Sequence, residues 1–263
     1  MDREAAGSAT ADAVTEGAVA AFVAVNRDVI GAVAGSRWEE LPGLIRYSTG
    51  LGTPRFNGVV VLDGSASADD AAAWLDDLAR RDLPHCVLTR AAAPGWAADL
   101  AAAHDLTTVQ HEPFMLHRDP ASVEVPERPV LERVDPSDPA AVRQAQQLFA
   151  DGFEAPVDLL APLMGREVLS TPGTVAWVGR TDDEPCTVGL GALRDGYLGV
   201  FNIATPPAHR RRGLGHAVTA RVVAEGVAAG AHTAYLQASE LGRPVYEHLG
   251  FRTVEAWPSH YPG

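Results

Sequence analysis

The chain has 263 residues, 46% of them hydrophobic, with 34 Asp and Glu against 21 Arg, no Lys and a formal net charge of -13. That suffices for a well-buried core and exceeds one small domain, so two domains are expected, and the acidic balance argues against nucleic acid as a partner. No run of 18 apolar residues occurs, and the alanine-rich start, Ala18 to Val25, lies between Glu16 and Arg27 without a basic leader, so a cytoplasmic protein with no membrane partner is expected.

In the first half, a strand Gly58–Leu62, helix Ala68–Arg81, strand His85–Thr89, helix Gly95–Ala103 and strand Leu106–His117 alternate. The segment from Arg118 to Pro129 holds three prolines and alternating charges, as linkers do. It divides the chain into 1–120, a linker 121–129 and 130–263. The second half reads as strand Val130–Val134, helix Pro139–Phe153 and a proline-interrupted helical segment Asp158–Leu169. A strand Thr174–Arg180 follows, then a turn at 181–184, strand Cys186–Arg194, a turn at Asp195-Gly196 and strand Tyr197–Thr205. After a glycine loop come helix Leu214–Ala229, strand His232–Ala238, helix Arg243–Leu249 and strand Phe251–Trp257. Cys86 and Cys186 sit in apolar runs of different halves, where buried free thiols are expected rather than a disulfide, a metal site or a nucleophile.

The most informative stretch runs from Ile203 to His216, where an apolar strand meets an arginine- and glycine-rich turn that opens a helix. The first amides of a helix have no intrahelical partner and lie at the positive end of its dipole, so anions bind there, and glycine lets the backbone approach them. The dinucleotide spacing G-x-G-x-x-G and the ATP-loop spacing G-x-x-x-x-G-K-[ST] are both absent. What stands there is Arg210-x-x-Gly213-x-Gly215. Alone this pattern also fits an arginine-rich surface turn. A second segment, ending Tyr246-Glu247-His248-Leu249-Gly250-Phe251, decides between them. The two together, in this order, resemble the acyl-CoA loop and the later Y-E-x-L-G-F motif of the GNAT superfamily of acetyl-CoA-dependent N-acetyltransferases.

The resemblance covers nearly all of 128–263 and implies an α/β (α+β) GNAT fold, a mixed, mostly antiparallel central sheet flanked by helices. The first half repeats the last five elements at a displacement of roughly 140 to 148 residues, as a structural repeat rather than a sequence repeat. It resembles the degenerate first domain of a tandem acetyltransferase, with an unrelated α/β domain as the alternative. In place of the anion loop it carries Asp63-Gly64-Ser65-Ala66-Ser67-Ala68-Asp69-Asp70, whose acids would repel a pyrophosphate.

By the same resemblance, the main chain of Ile203, Ala204 and Thr205 receives the pantetheine arm and the thioester oxygen of acetyl-CoA. Amides of Arg211, Arg212, Gly213, Leu214, Gly215 and His216 receive its pyrophosphate, and the side chains of Arg210, Arg211 and Arg212 add charge. Tyr246 matches the tyrosine that protonates the departing thiolate; packing in the core is its other reading. Ser239 stands where many members have a cofactor-touching asparagine. Gly199 and Phe201 occupy positions where many carry a glutamate base, so the proton must leave by water or through Glu154, Asp158, His260 or Tyr261. The scattered histidines imply no metal. The expected reaction is direct transfer of an acetyl group to a primary amine of a small molecule in a ternary complex, by a monomer or homodimer. Transfer to a protein amine or a hydroxyl, and a noncatalytic acyl-CoA sensor, are the alternatives.

Overall fold

The computed structural model describes residues 2–90 and 93–263, with side chains from residue 13 onward. In chain order the elements are helix α1 (Asp2–Gly31), strands β1 (Arg37–Leu41), β2 (Leu44–Ser48) and β3 (Asn57–Val61), helix α2 (Ala68–Arg80), β4 (Cys86–Thr89), α3 (Trp96–Ala103) and β5 (Thr108–His117). Next come β6 (Val130–Arg133), α4 (Pro139–Gly152), the one-turn helices α5 (Val157–Leu160) and α6 (Arg166–Leu169), β7 (Thr174–Thr181), β8 (Glu184–Arg194) and β9 (Tyr197–Ala204). Helix α7 (Leu214–Ala228), β10 (Thr233–Gln237), α8 (Arg243–His248) and β11 (Arg252–Tyr261) follow.

The expected elements form with ends shifted by a residue or two, the proline-interrupted segment breaks as expected, and there are two differences. The 158–169 segment breaks into α5, a 3-10 turn Ala161–Met164 and α6, because Pro162 has no amide for a continuous helix. Strand β11 runs on to Tyr261, past the expected end at Trp257. Helix α1 and the hairpin β1–β2 were not among the expected elements at all.

The chain forms two compact units, divided differently from two consecutive domains. Unit 1 holds the segment ending at Val29 together with Met115–Val254, and unit 2 holds Ile30–Phe114 and Glu255–Gly263. Strands β5 and β11 are the reason: each is one continuous strand of 10 residues whose two ends belong to different units. The proline-rich segment 121–129 lies inside unit 1.

In unit 2, β1, β2 and β3 pair antiparallel, β3 and β4 pair parallel, and β11 returns antiparallel to β4. Helix α2 starts where Ser67 Oγ accepts the amide of Asp70 at 3.2 Å. Its stripe Ala71, Trp74, Leu75 and Leu78 repeats at helical spacing and packs with Val59, Val61 and Val87. Each Leu and Val side chain among them, fully buried, contributes about 1.5–3 kcal/mol. Cys86, in unit 2, and Cys186, in unit 1, are both buried and free.

In unit 1, β6, β7, β8 and β9 form an antiparallel meander and β10 lies parallel to β9. Leu198 and Val200 on one face of β9 pack with Ala220, Val222 and Val223 of α7. The opposite face carries Tyr197, Gly199 and Phe201. There Phe201 meets Tyr235 of β10 edge-on at 6.0 Å, and Tyr235 meets Phe22 of α1 at 6.5 Å. Ala18, Ala21, Phe22 and Val25 of α1 are buried at helical spacing, which ties this helix to unit 1.

Candidate active site

The site begins where two parallel strands part. The ladder between β9 and β10 runs from Tyr197 opposite Thr233 to Gly199 opposite Tyr235 and stops, while β9 continues to Ala204. Along its other edge β9 stays paired to β8, with one irregularity: Val188 lies opposite Ala204 and Leu190 opposite Phe201. Two steps along β8 thus match three along β9, the signature of a bulge. Asn202 absorbs it at φ +51°, and its Nδ2 donates to Leu163 O at 3.3 Å. Beyond the bulge, Thr187 Oγ1 donates to Ala204 O at 3.0 Å and lies 2.9 Å from Thr205 Oγ1, fixing the end of the strand. Ile203, Ala204 and Thr205 therefore line the edge of β9 that has left β10.

The next residues build an anion cradle from backbone. A 3-10 turn, Pro207–His209, leads to an extended Arg210, then to left-handed Arg211 at φ +63° and left-handed Gly213 at φ +75°, from which α7 starts. Among the described residues, no amide from Arg211 through His216 donates a hydrogen bond to the protein backbone; the first to do so is Ala217, to Gly213 O at 3.0 Å. Six consecutive donors, the left-handed turns that gather them and the dipole of a 15-residue helix converge on one spot. Among the described residues, nothing beyond its chain neighbours lies within 4 Å of a Cβ built on Gly213, so glycine is favoured there by φ rather than by crowding.

The three arginines divide their work. Arg211 and Arg212 are exposed, and Arg212 Nη1 lies 3.4 Å from His209 Nδ1. Arg210 is spent internally: Nε donates to Thr205 O at 3.1 Å, Nη2 to Gly152 O at 2.8 Å and Nη1 to Glu154 Oε1 at 2.9 Å. Neither Gly152 nor Thr187 was singled out by sequence. A Cβ on Gly152 would stand 2.6 Å from Ala204 Cβ and 2.9 Å from the Thr205 amide, so the end of α4 abuts the strand directly. His216, in the first turn of α7, faces His248 of α8 at 5.8 Å. Burial, and secondarily the neighbouring His248, lowers its pKa below the usual imidazole value.

Tyr246 lies on α8, half-buried, with its ring against Phe251 at 6.1 Å. Its hydroxyl makes no hydrogen bond among the described residues yet is not sealed from the surface. Burial pushes the phenol up to about 12, so it holds its proton at neutral and mildly alkaline pH. Ser239 is exposed and its Oγ accepts the Gly242 amide at 3.1 Å, shaping the turn into α8.

The candidate bases disperse. Glu154 is paired with Arg210, and Asp158 is exposed on α5. His260 and Tyr261 belong to unit 2, where Tyr261 donates to Glu112 Oε1 at 2.7 Å. Gly199 and Phe201 put no carboxylate on β9. Among the described residues no group of three or more His, Cys, Asp or Glu is placed to hold a metal ion, and no helix is long and apolar enough to cross a membrane.

The comparisons with known proteins bear on this geometry. Residues 144–258 match the sequence model of the acetyltransferase (GNAT) domain family. No curated protein matches the chain significantly. Among solved structures, a GCN5-related N-acetyltransferase from Kribbella flavida superposes with a TM-score of 0.65 at 19% identity, covering 91% of this chain and 94% of its own. A GCN5-related N-acetyltransferase-like protein from Streptococcus suis gives 0.57 at 11% identity, covering 89% and 92%. An acetyltransferase of the GNAT family from Novosphingobium aromaticivorans gives 0.52 at 19% identity, covering 84% and 88%. At these identities the superpositions speak for the fold, and they cover both units. The family uses acetyl-CoA as acyl donor. Over residues 144–258 the chain is similar to the GNAT acetyltransferase domain, and its fold is that of the solved GNAT structures.

Proposed function

We propose that unit 1 seats acetyl-CoA in the gap between β9 and β10 and transfers its acetyl group to a primary amine of a small molecule by direct attack in a ternary complex. The observation that carries this reading is the run of six amides, Arg211 to His216, without a backbone acceptor among the described residues, at the end of a strand that has parted from β10. These amides hold the pyrophosphate, and Arg211 and Arg212 add exposed charge beside them. Arg210 contributes by holding the loop. Main-chain groups of Ile203, Ala204 and Thr205 align the thioester arm, and a thioester held there supplies an activated acyl carbon. Alignment of this kind removes much of the entropic barrier without a covalent intermediate. Tyr246 presents a phenol O–H to the leaving sulfur, and Ser239 flanks the same turn. No side chain on β9 takes the proton of the amine; water at the open edge of the strands does so. Unit 2 is, in this reading, a degenerate copy without a CoA cradle, since its α2 begins with Ser67, Asp69 and Asp70.

The test is CoA release from acetyl-CoA over a panel of aminoglycosides, amino acids, polyamines and peptide N-termini, run beside acetyl-CoA titration by calorimetry. Turnover with a small amine is the expected result. Tight binding with no turnover on any amine or hydroxyl would establish the noncatalytic sensor instead.

A further inference from the structure

The three hydrogen bonds of Arg210 join two parts of unit 1, reaching back 58 residues in sequence to Gly152. Its guanidinium caps the last carbonyl of α4 at Gly152, pairs with Glu154, which sits in the left-handed region at φ +54°, and returns to Thr205 O at the end of β9. A cation at a helix C-terminus satisfies carbonyls that lack an intrahelical partner. Beyond the contact of Gly152 with Ala204 and of the Phe153 ring with Phe149, the corner thus held is partly open to solvent. Phe153 and Val157 are 56% and 39% exposed, and the amides of Phe153, Glu154 and Ala155 bond back only to the last turn of α4. The cradle on the other side of Arg210 is likewise open, because its amides have no backbone acceptor among the described residues.

We propose that Arg210 is a positioning residue that couples occupancy of the Arg211–His216 cradle to the order of the Gly152–Val157 corner. The inference rests on the cradle reading above. An anion on the amides pins the backbone that follows Arg210. The guanidinium, fixed to that backbone and to three acceptors, carries the restraint into the end of α4. Coupling is reciprocal, so a corner ordered by an acceptor tightens the cradle by the same factor. Arginine is required, since lysine cannot serve three acceptors lying in different directions from one planar fork.

Hydrogen exchange read by mass spectrometry, with and without CoA, tests this on the full chain in parent, Arg210→Met and Glu154→Gln. In the parent, CoA should slow exchange of the Phe153, Glu154 and Ala155 amides by about 5-fold or more, a typical coupling factor. In Arg210→Met, CoA should still protect the cradle peptide while leaving the corner unchanged, and Glu154→Gln should retain part of the effect. A purely structural arginine would shift the corner equally with and without CoA, and equal CoA-dependent protection in parent and Arg210→Met would overturn the proposal. Calorimetry separates the two readings. If the parent does not bind CoA, the cradle assignment fails. If the parent binds and Arg210→Met loses affinity as severely as Gly213→Glu, Arg210 is a phosphate ligand and the coupling role is wrong. Should Arg210→Met fail to fold, Arg210→Lys and Glu154→Gln carry the same comparison, with loss of corner protection expected in Lys and persistence of full protection in both contradicting the proposal.

Discussion

The hydroxyl of Tyr235 lies 2.7 Å from the point where a Cβ on Gly199 would stand, and the ring of Phe201 is closer still. This fills the space on β9 in which a carboxylate would have to begin, so the lack of an acid there is built into the packing and not only into the sequence. Gly199→Ala is expected to destabilise the protein by about 1–3 kcal/mol through overpacking. Chemical denaturation checks this. A midpoint equal to that of the parent would show that Phe201 and Tyr235 yield freely. Gly199→Glu should lose more stability and gain no activity.

Tyr246→Phe keeps the ring against Phe251 and removes only the proton. General-acid help is worth roughly 10² to 10⁴ in rate, so kcat should fall by about that order with little change in CoA affinity. Because burial holds the phenol near 12, the parent should show no alkaline loss of kcat from this group at pH 9 to 10, where an ordinary tyrosine begins to ionise. Unchanged turnover in Tyr246→Phe, with chemistry limiting, would leave Tyr246 as a packing residue.

His117 supplies a pH dependence of stability. It is buried in unit 1, with Nε2 3.0 Å from Leu249 O and Nδ1 accepting the Asp119 amide at 3.2 Å, and burial lowers its pKa below 6.5. The folded state therefore binds fewer protons than the unfolded state below about pH 6.5, and stability falls as pH drops from there toward the folded pKa. His104, His216 and His260 are lowered in the same direction, so the comparison must be with a variant. The fall in Tm between pH 7 and 5 should be smaller in His117→Gln than in the parent. Identical slopes would remove His117 from the account.

How far the sequence could be read depended on how local the signal was. The meander β7 to β9, the loop and α7 follow from turns and glycines adjacent to them in sequence, and the amides without a backbone acceptor lie where Arg210-x-x-Gly213-x-Gly215 places them. Helix α1 was hidden because alanine recurs all along its sequence, so its apolar residues stand out little from their neighbours. The bulge at Asn202, the approach of Gly152 to Thr205 and the internal use of Arg210 join residues distant in sequence, and no spacing announces them. The division of β5 and β11 between units was invisible for the same reason: each reads as a single uninterrupted strand.

At the start of α2 in unit 2, Asp63 Oδ1 accepts the Ser65 amide and Ser67 caps the helix ahead of Asp69 and Asp70, where the proposed cradle of unit 1 carries arginines. Titration with CoA should saturate at one equivalent per chain. A second equivalent of similar affinity, mapped to residues 63–70, would overturn the degenerate-copy reading.

The central claim is that the Arg211–His216 backbone is the cradle for acetyl-CoA, and calorimetric titration of the parent against Gly213→Glu addresses it most directly. Glutamate places an anion beside the six amides, and the left-handed backbone adds strain of about 1 kcal/mol, so circular dichroism must first show the variant folded. The account predicts one site in the parent and at least a roughly 100-fold weaker one in a folded Gly213→Glu, as expected when a like charge opposes the ligand. Equal affinity in the two proteins would contradict it.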